Sequence, residues 1–424
     1  MKSELIQTQN VAHRLRSLGY PLVQTDFRIP TAKGQRGDVL AWATADSGEL
    51  VPYLVVEVKA GGQRPETALP QLAQISSSLG TEEHFVVVGE EWFRSGRGFR
   101  TIEDLDGPPE ASQRANGEVR SVSLASQLLR AKLGRLSDRN RSRRGLSVDA
   151  IVDAVAAAPG YPSAIETVDG QVVPVSPTVL MQARREVYSD VAETMHEMGL
   201  SASPPVIAQA IALLAGNRLE GRAVDPFCGA GTFLWALHDR ADVEQLTIET
   251  YGIDLHPETV RAAKLLGSSV EQKSEFEVGD AFSASLPDAD LVVAAPPMGI
   301  RLADPFELLD GSVTRDGEIA SVDRCLRLLK PGGRAVLQLS PSITYQPQAE
   351  AYRNYLANEY RVAALIGCPT GSAYATRIST VLIVVDRAPT GETFVAQLSD
   401  DWQTQLAPEG PVMSAAIKHI DGKP

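Results

Sequence analysis

The order of apolar and polar positions predicts two α/β regions in this chain. Residues 3–18 place apolar side chains at helical spacing, which predicts an amphipathic helix. Runs rich in β-branched and aromatic residues then predict two strands of a hairpin, at 37–42 and 53–59. A predicted helix at 66–79 and a predicted strand at 84–88 complete this first region.

Strand and helix patterns alternate in the second region, between about residues 201 and 390. Its candidate strands are 222–226, 249–254, 275–279, 290–295, 333–339, 361–366 and 380–386. Such alternation predicts a mostly parallel sheet with helices on both faces. The stretch between the two regions is mostly helical in pattern, with an interruption near 159–177. We expect four parts, at residues 1–104, 105–200, 201–395 and 396–424.

Composition narrows the class of protein. The chain has 424 residues, enough for two or three domains. No apolar run reaches the roughly 18 residues that a membrane helix needs, and the first residues carry no secretory apolar core. We therefore expect a cytoplasmic protein without a membrane partner. Its three cysteines are scattered, which favours neither a disulfide framework nor a zinc site.

The charge is unevenly distributed. The net charge is −13, yet one segment is strongly basic and is opposed locally only by Asp138. Its basic residues are Arg130, Lys132, Arg135, Arg139, Arg141, Arg143 and Arg144. Two interpretations stay open, a solvated helix face or linker and a segment that contacts the DNA backbone.

Three aspartates follow successive candidate strands of the second region. Asp225 precedes a turn in which Gly229 and Gly231 permit close backbone approach to a ligand. Asp254 and Asp280 follow the next two strands. Ligands bind parallel sheets at the carboxyl ends of the strands, and a carboxylate there can accept ribose hydroxyls. The spacing favours a nucleotide-like ligand over three solvated strand-end aspartates.

These motifs, followed by a Pro-Pro pair, resemble those of S-adenosylmethionine-dependent methyltransferases that modify the exocyclic amine of adenine in DNA. Type I modification subunits and type IIG restriction enzymes share this order, and residues 376–385 resemble a late motif of the family. The resemblance implies a Rossmann-like class I methyltransferase domain. In it Asp254 would accept both ribose hydroxyls and Asp280 the adenine amine. The implied cofactor-binding residues are Ser203, Asp225, Pro226, Phe227, Gly229, Gly231, Asp254, Leu255, Asp280, Ala281 and Phe282.

The catalytic motif departs from the family pattern. That pattern is Asn, Asp or Ser, then Pro-Pro, then an aromatic residue, whereas this chain has Ala295, Pro296, Pro297 and Met298. In the family pattern the polar side chain accepts hydrogens of the target amine, and the ring stacks on the flipped base. Ala295 cannot accept a hydrogen bond. We therefore expect methylation to be weak or lost, unless another side chain substitutes.

The first region carries a second candidate site. Asp38, Glu57 and Lys59 fall on the two predicted hairpin strands, and they resemble the PD-(D/E)XK nuclease pattern. The resemblance implies an α/β restriction-endonuclease-like domain with Mg²⁺ or Mn²⁺ on Asp38, Glu57 and the Val58 carbonyl. Gln71 resembles a helix glutamine of some members, and Glu4 is a further possible ligand. The alternative is a surface ion pair.

The two sites together predict a DNA-directed restriction-modification or phage-defence protein. About 35 residues follow the last predicted strand, too few for a sequence-reading domain, so we expect a separate specificity subunit if DNA sequence is read. Two alternatives stay open: an active adenine methyltransferase with an atypical active site, and a non-catalytic cofactor-bound DNA-binding scaffold. The leading hypothesis makes the chain an enzyme, restriction endonuclease-like, DNA adenine methyltransferase-like or both, whereas the scaffold alternative makes it a non-enzyme.

Overall fold

The computed structural model describes residues 2–29, 35–108, 110–111, 117–140, 147–194, 202–267, 274–373 and 378–422. The chain divides into two compact units. The N-terminal unit comprises 1–135 and 157–183, and the C-terminal unit comprises 136–156 and 184–424. Residues of the predicted linker, 105–200, are therefore shared between the units. No helix of the described residues is long and apolar enough to cross a membrane.

A six-stranded sheet forms the N-terminal unit, with its strands in sequence order. The strands are β1 (Leu22–Arg28), β2 (Arg36–Thr44), β3 (Leu50–Lys59), β4 (Glu83–Val88), β5 (Glu91–Ser95) and β6 (Ile102–Leu105). Only β3 and β4 pair in parallel. A small two-stranded sheet, β7 (Ala164–Glu166) and β8 (Val172–Pro174), lies in the stretch that was predicted only as an interruption.

The first helix covers this sheet as the apolar spacing predicts. Val11, Ala12 and Leu15 of α1 (Lys2–Ser17) are buried against strand residues such as Val39 and Val56. The predicted helix at 66–79 begins as a 3₁₀ turn at Pro65–Ala68, because proline opens it, and continues as α2 (Leu69–Leu79).

An eight-stranded sheet forms the centre of the C-terminal unit, in the order β11-β10-β9-β12-β15-β17-β16-β18. Its strands are β9 (Gly221–Asp225), β10 (Ile248–Asp254), β11 (Ser274–Val278), β12 (Ala289–Ala294), β15 (Leu329–Leu339), β16 (Arg361–Cys368), β17 (Thr380–Asp386) and β18 (Phe394–Gln397). The first five strands in that order are parallel, and β17 is antiparallel to both neighbours. A hairpin, β13 (Arg301–Glu307) and β14 (Val313–Asp316), projects after β12.

The seven predicted strands of the second region all form. The residues of central strands such as β12 are almost all buried, because helices cover both faces of a parallel sheet. The remaining helices are α3 (Val122–Asn140), α4 (Val148–Val155), α5 (Pro177–Thr194), α6 (Pro205–Leu214), α7 (Thr232–Glu244), α8 (Pro257–Leu266), α9 (Gly317–Arg327), α10 (Ser342–Tyr345), α11 (Glu350–Glu359), α12 (Trp402–Leu406) and α13 (Pro411–Asp421). Because β9, β10, β11 and β12 are parallel, their carboxyl ends lie side by side. This side of the sheet, which runs across the strand ends and is not an outer strand, is called here the carboxyl edge.

Candidate functional site

The glycine turn lies at the carboxyl edge between β9 and α7. Gly229 and Gly231 have φ values of 50° and 76°, in the left-handed region that favours glycine. A β-carbon on Gly231 would also lie only 3.0 Å from Trp235 Nε1. Cys228 N donates to Ile253 O at 3.0 Å and so ties the turn to the end of β10. The backbone therefore makes a tight, pre-formed concave turn beside two strand ends.

Asp254, at the end of β10, holds this turn from the other side. Its Oδ2 accepts a hydrogen bond from Gly229 N at 2.9 Å. Its Oδ1 accepts from His256 N at 2.9 Å and from Thr259 Oγ1 at 3.1 Å. A carboxylate offers about four acceptor positions, so roughly one, on Oδ2, stays free. That capacity suits one ribose hydroxyl, fewer than the two that the family resemblance implies.

Asp225 is the most buried of the three strand-end acids. It is 2% exposed, and its Oδ1 accepts from Phe227 N at 3.0 Å. Burial raises the pKa of Asp225 well above its ordinary value, against the opposing effect of that hydrogen bond. Pro226 beside it is buried and Phe227 is half-buried. Asp225 therefore shapes the start of the glycine turn, where it does not face solvent.

Asp280 follows β11 and heads a turn that ends at Ala284. Its Oδ1 accepts from Phe282 N at 3.0 Å and its Oδ2 from Ser283 Oγ at 3.2 Å. Asp280 itself is exposed, so its carboxylate stays open to a ligand. The Phe282 ring lies between two others, with centroids 5.8 Å from Phe227 and 5.5 Å from Phe306.

The residue pattern did not single out Phe306 or Arg324. Phe306 comes from the β13–β14 hairpin, and Arg324 of α9 donates to the carbonyls of Ala281 and Ala284, both at 2.6 Å. A surface cavity of about 530 Å³ is lined by Phe282, Phe306 and Arg324 among others. Their partners are rings and carbonyls distant in sequence, so no local pattern could have identified them.

The Pro-Pro motif follows β12, next to β9 in the sheet. Ala295 and Met298 are half-buried, Pro296 is buried and Pro297 is exposed. The adjoining helix α9 is fixed to this loop, because Gly317 N donates to Ile300 O at 3.0 Å. The structure therefore places the motif at the carboxyl edge, with an alanine at the position where the family pattern carries a polar acceptor.

A buried carboxylate that sequence reasoning missed lies on the first turn of α9. Glu318 is 5% exposed and accepts from Ser340 N and from the hydroxyls of Ser340 and Ser342. Ser340 follows β15, the strand next to β12. Since its bonds go to these serines, Glu318 ties α9 to the end of β15.

Two other predicted cofactor residues flank the site. Ser203 is half-buried and lies just ahead of α6, whose N-cap is Pro204. Leu255 is 64% exposed directly after Asp254. An apolar side chain so open to solvent, beside Asp254, offers a surface against which a ring could pack. Residues 374–377 of the late motif lie outside the described residues, whereas 380–385 belong to β17.

The N-terminal unit brings Asp38, Glu57 and Lys59 together, because β2 and β3 pair with Val39 opposite Val56. Asp38 Oδ2 accepts from Val58 N at 2.7 Å, and Asp38 N donates to Glu57 Oε1 at 3.4 Å. Lys59 Nζ lies 3.3 Å from Glu57 Oε2.

Gln71, on α2, donates to the Arg36 carbonyl at 3.1 Å and so lies beside the start of β2. Glu4 lies in the first turn of α1. The described residues contain no group of three or more His, Cys, Asp or Glu side chains that could hold a metal, so Glu4 does not join Asp38 and Glu57 in one.

The pair of carboxylates nevertheless has the chemistry of a cation site. Glu57 is 1% exposed, and burial, followed by the negative charge of Asp38, raises its pKa to about 8 against the opposing effect of Lys59. A cation beside the pair would stabilise the charged form. Mg²⁺ commonly takes only one or two protein carboxylates and completes its shell with water and phosphate oxygens. Two carboxylates therefore fit a Mg²⁺ site completed by a substrate.

The basic segment is only partly described. The side chains of Arg139, Arg141, Arg143 and Arg144 lie outside the described residues. Arg135 donates to the Val168 carbonyl and lies 4.0 Å from Asp169 Oδ1 within the N-terminal unit. That arginine therefore serves the packing of its own unit.

Comparisons with known proteins place this fold. A class I S-adenosylmethionine-dependent methyltransferase from Listeria monocytogenes superposes with a TM-score of 0.52 and 14% identity, over 70% of this chain and 97% of that one. A type I restriction-modification methyltransferase subunit from Streptococcus thermophilus gives 0.48 and 16%, over 56% and 57%. The type IIG restriction endonuclease BpuSI gives 0.43 and 12%, over 97% and 59%.

At these identities the likeness shows the fold alone, and of these three proteins the one from Listeria exceeds a TM-score of 0.5. The C-terminal unit thus has the class I S-adenosylmethionine methyltransferase fold. The chain spans little more than half of the length of the Streptococcus and BpuSI proteins. No curated protein matches the chain in sequence.

The family profile described as N-6 DNA Methylase matches residues 189–414, more than half of the 424 residues. This range contains the glycine turn, the three strand-end aspartates and the Pro-Pro motif. The chain therefore belongs to the N-6 DNA methylase family.

Proposed function

We propose that the C-terminal unit binds S-adenosylmethionine at the carboxyl edge. The observation that carries this proposal is the bond from Gly229 N to Asp254 Oδ2, which joins the glycine turn to the second strand-end acid. Asp254 would take a ribose hydroxyl with its free acceptor position, and Asp280 the adenine amine. Leu255 and Phe282 would pack on the adenine ring, and Ser203 would lie towards the methionine end. When bound, the cofactor supplies the methyl group.

Calorimetry tests the cofactor proposal directly. We expect the wild-type protein to bind S-adenosylmethionine and Asp280→Ala to bind it more weakly, since the variant loses the acceptor for the adenine amine. Asp400→Ala, an exposed aspartate near the C-terminus, is the control and should bind like wild type. Absence of binding by the wild type would contradict the proposal.

Methyl transfer to adenine in DNA is proposed to be weak or lost. Ala295 has no hydrogen-bonding side chain, and loss of one preorganised acceptor or donor of this type costs roughly 10²–10³-fold in rate. Met298 packs without an aromatic face, and base stacking contributes about 1–3 kcal/mol. Radiolabelled methyl transfer at a rate typical of active methyltransferases would favour the alternative, an active enzyme with an atypical site.

The N-terminal unit is proposed to be a metal-dependent DNA nuclease of the PD-(D/E)XK type. Asp38 and Glu57 would hold Mg²⁺ or Mn²⁺, with the Val58 carbonyl as a further oxygen, and Gln71 would support the strand ends. The metal would activate water and stabilise charge on the phosphate. Lys59, already beside Glu57, would orient the attacking water. The supporting observation is that Asp38, Glu57 and Lys59 lie together where β2 and β3 pair, with Glu57 buried between the other two.

Plasmid nicking with and without Mg²⁺ or Mn²⁺ measures the nuclease activity. We expect Asp38→Ala and Lys59→Ala to abolish cleavage. The matched control is Arg94→Ala, which breaks the ion pair of Arg94 with Glu83 in the same sheet, away from these strand ends. Equal cleavage by all variants would place the activity elsewhere.

The substrate of the whole protein is proposed to be DNA, in a restriction-modification or phage-defence setting, with a separate subunit reading the sequence. Gel-shift assays with and without candidate specificity subunits measure this. A protein that binds S-adenosylmethionine and DNA, but neither cleaves nor methylates with any partner, would instead be a cofactor-bound scaffold.

A further inference from the structure

Arg324 connects helix α9 to the turn that carries Asp280. Its Nε donates to the carbonyl of Ala281 and its Nη2 to the carbonyl of Ala284, both at 2.6 Å. Ala284 N and Ser283 N in turn donate to the Asp280 carbonyl, at 2.9 and 3.2 Å. The guanidinium therefore closes a turn whose backbone already folds back on Asp280.

Two donors on one planar group fix the turn more firmly than a single contact would. Hydrogen bonds from a charged donor are shorter and stronger than neutral ones, and the fork of an arginine sets the separation of its two acceptors. The turn bears the Asp280 carboxylate and the Phe282 ring, the two side chains proposed above to contact the adenine. Holding the carbonyls of Ala281 and Ala284 therefore fixes the direction in which both side chains point.

The other end of α9 is anchored independently. Asp316 caps the helix by accepting from Glu318 N and Ile319 N, and Gly317 N bonds to Ile300 O directly after the Pro-Pro motif. Arg324 lies two turns further along the same helix. It is half-buried, and burial lowers its pKa, but the group stays a cation at any physiological pH.

Arg327, one turn beyond, provides the contrast. Its Nε donates to Asp323 Oδ2 at 2.8 Å and its Nη2 to the Glu307 carbonyl at 2.8 Å, and its guanidinium lies 5.8 Å from the Phe306 ring centroid. Both arginines thus bond a backbone carbonyl, but the bonds to the 280–284 turn found among the described residues are those of Arg324. The two residues form a matched pair on one helix.

We propose that Arg324 is a positioning residue for adenine recognition, which aims Asp280 at the exocyclic amine of the cofactor. The inference rests on the proposed binding of S-adenosylmethionine and names the residue that sets its selectivity for the base. Without the two bonds to Ala281 and Ala284, the turn relaxes and Asp280 loses its direction. Selectivity for an amino group at this position of the ring then falls.

The experiment compares two ligands by calorimetry, S-adenosylhomocysteine and its inosine analogue, in which an oxygen replaces the adenine amine. Wild type should prefer the adenine ligand by about tenfold or more, because the oxygen that replaces the amine is an acceptor and cannot donate to Asp280 from that position. Arg324→Gln should reduce this preference at least threefold. Arg327→Gln should keep it, although it also removes an arginine from α9.

A general loss of folding would weaken both ligands alike, so the ratio of the two affinities separates positioning from a merely structural role. Arg324→Lys keeps the charge but cannot span both carbonyls, and we expect it not to restore the preference. Full restoration by lysine, or an unchanged ratio in Arg324→Gln, would overturn the inference. If wild type binds neither ligand, the cofactor proposal itself fails, which is a distinguishable result.

Discussion

The two edges of the C-terminal sheet treat their carboxylates differently. At the carboxyl edge, Asp225, Asp254 and Asp280 take part in none of the ion pairs found among the described residues, and backbone and hydroxyl groups bond them instead. At the opposite edge, Asp290 lies 2.7 Å from Lys330 Nζ, and Asp386 lies 2.6 Å from Arg334 Nε.

The paired acids hold elements together. Arg334, 2% exposed on its side chain, bonds Asp386 of β17 and Asp421 of α13, and its Nη1 also donates to the Ala215 carbonyl after α6. The acids at the carboxyl edge instead shape turns, and Asp254 and Asp280 are more exposed than the buried Asp225. One sheet therefore uses aspartate for ion pairs between elements at one edge and for the shaping of turns at the other.

The largest expected effect is on stability, at the edge where Asp290 and Asp386 are ion-paired, called here the paired edge. Arg334→Met leaves Asp421 without its cation and should lower the free energy of unfolding by about 3–5 kcal/mol, because breaking a buried ion pair leaves an uncompensated charge. Urea denaturation measures this loss. The control, Arg222→Met, removes an exposed pair with Glu249 and should cost under about 1 kcal/mol. The comparison breaks down if Arg334→Met lowers cofactor affinity in the folded protein without lowering stability.

The next largest expected effect is a gain of methyl transfer when the Pro-Pro motif is restored. Ala295→Asn with Met298→Phe restores the acceptor and the ring of the family pattern, and we expect methyl transfer to DNA adenine to rise by roughly 10²-fold. The single change Met298→Phe is the control and should give little increase, since the acceptor is still missing. Transfer that stays at background in the double variant, with cofactor binding intact, would show that more than these two side chains has been lost.

A smaller effect, on cofactor affinity, is expected at the aspartates proposed to bind S-adenosylmethionine. Asp254→Ala removes the acceptor for Gly229 N as well as the free position proposed for the ribose, so affinity for S-adenosylmethionine should fall by roughly 10–100-fold. Asp290→Ala, at the opposite edge, should leave that affinity unchanged. Equal losses in both variants would indicate a general effect of removing charge from the sheet.

Much of this architecture is predictable from the sequence. The run of β12 is apolar enough to be recognised alone, whereas β9 and β10 are recognised from the order of strand, turn and helix patterns around them. An acid at the end of such a strand lies at the carboxyl edge by geometry. Strand β1 and the β13–β14 hairpin were not predicted. Their residues alternate weakly, and β13 is largely exposed, because pairing with a neighbouring strand rather than burial holds it in place.

The support of the site was beyond sequence reasoning for a related reason. Arg324 bonds backbone carbonyls, which every residue possesses, so no pattern of side chains in the sequence identifies its partners. Glu318 likewise bonds serines that follow a different strand. The chemistry-bearing acids are encoded locally, whereas the residues that aim them depend on which helix the fold brings alongside.

The smallest predicted effect concerns Asp290 and its dependence on pH. Burial opposes its ionisation, but the hydrogen bond from Arg222 N and the Lys330 ammonium together lower the pKa of Asp290. A carboxylate with a lowered folded-state pKa stabilises the protein above its unfolded pKa of about 3.9, and that stability is lost as the pH falls through the folded value. Because this pair is partly exposed, Asp290→Asn should cost under about 1 kcal/mol at pH 7.

Urea midpoints of wild type, Asp290→Asn, Lys330→Gln and the double variant, at pH 7 and again at a pH below the lowered folded-state pKa of Asp290, isolate the contribution of this pair. The coupling energy of the double-mutant cycle should be positive at pH 7 and shrink as Asp290 takes up a proton in acid. A coupling that persists unchanged in acid would mean that the two side chains interact through packing rather than charge. The paired edge would then be stabilised by shape, and the contrast with the unpaired acids at the carboxyl edge would hold only for Arg334 and its partners.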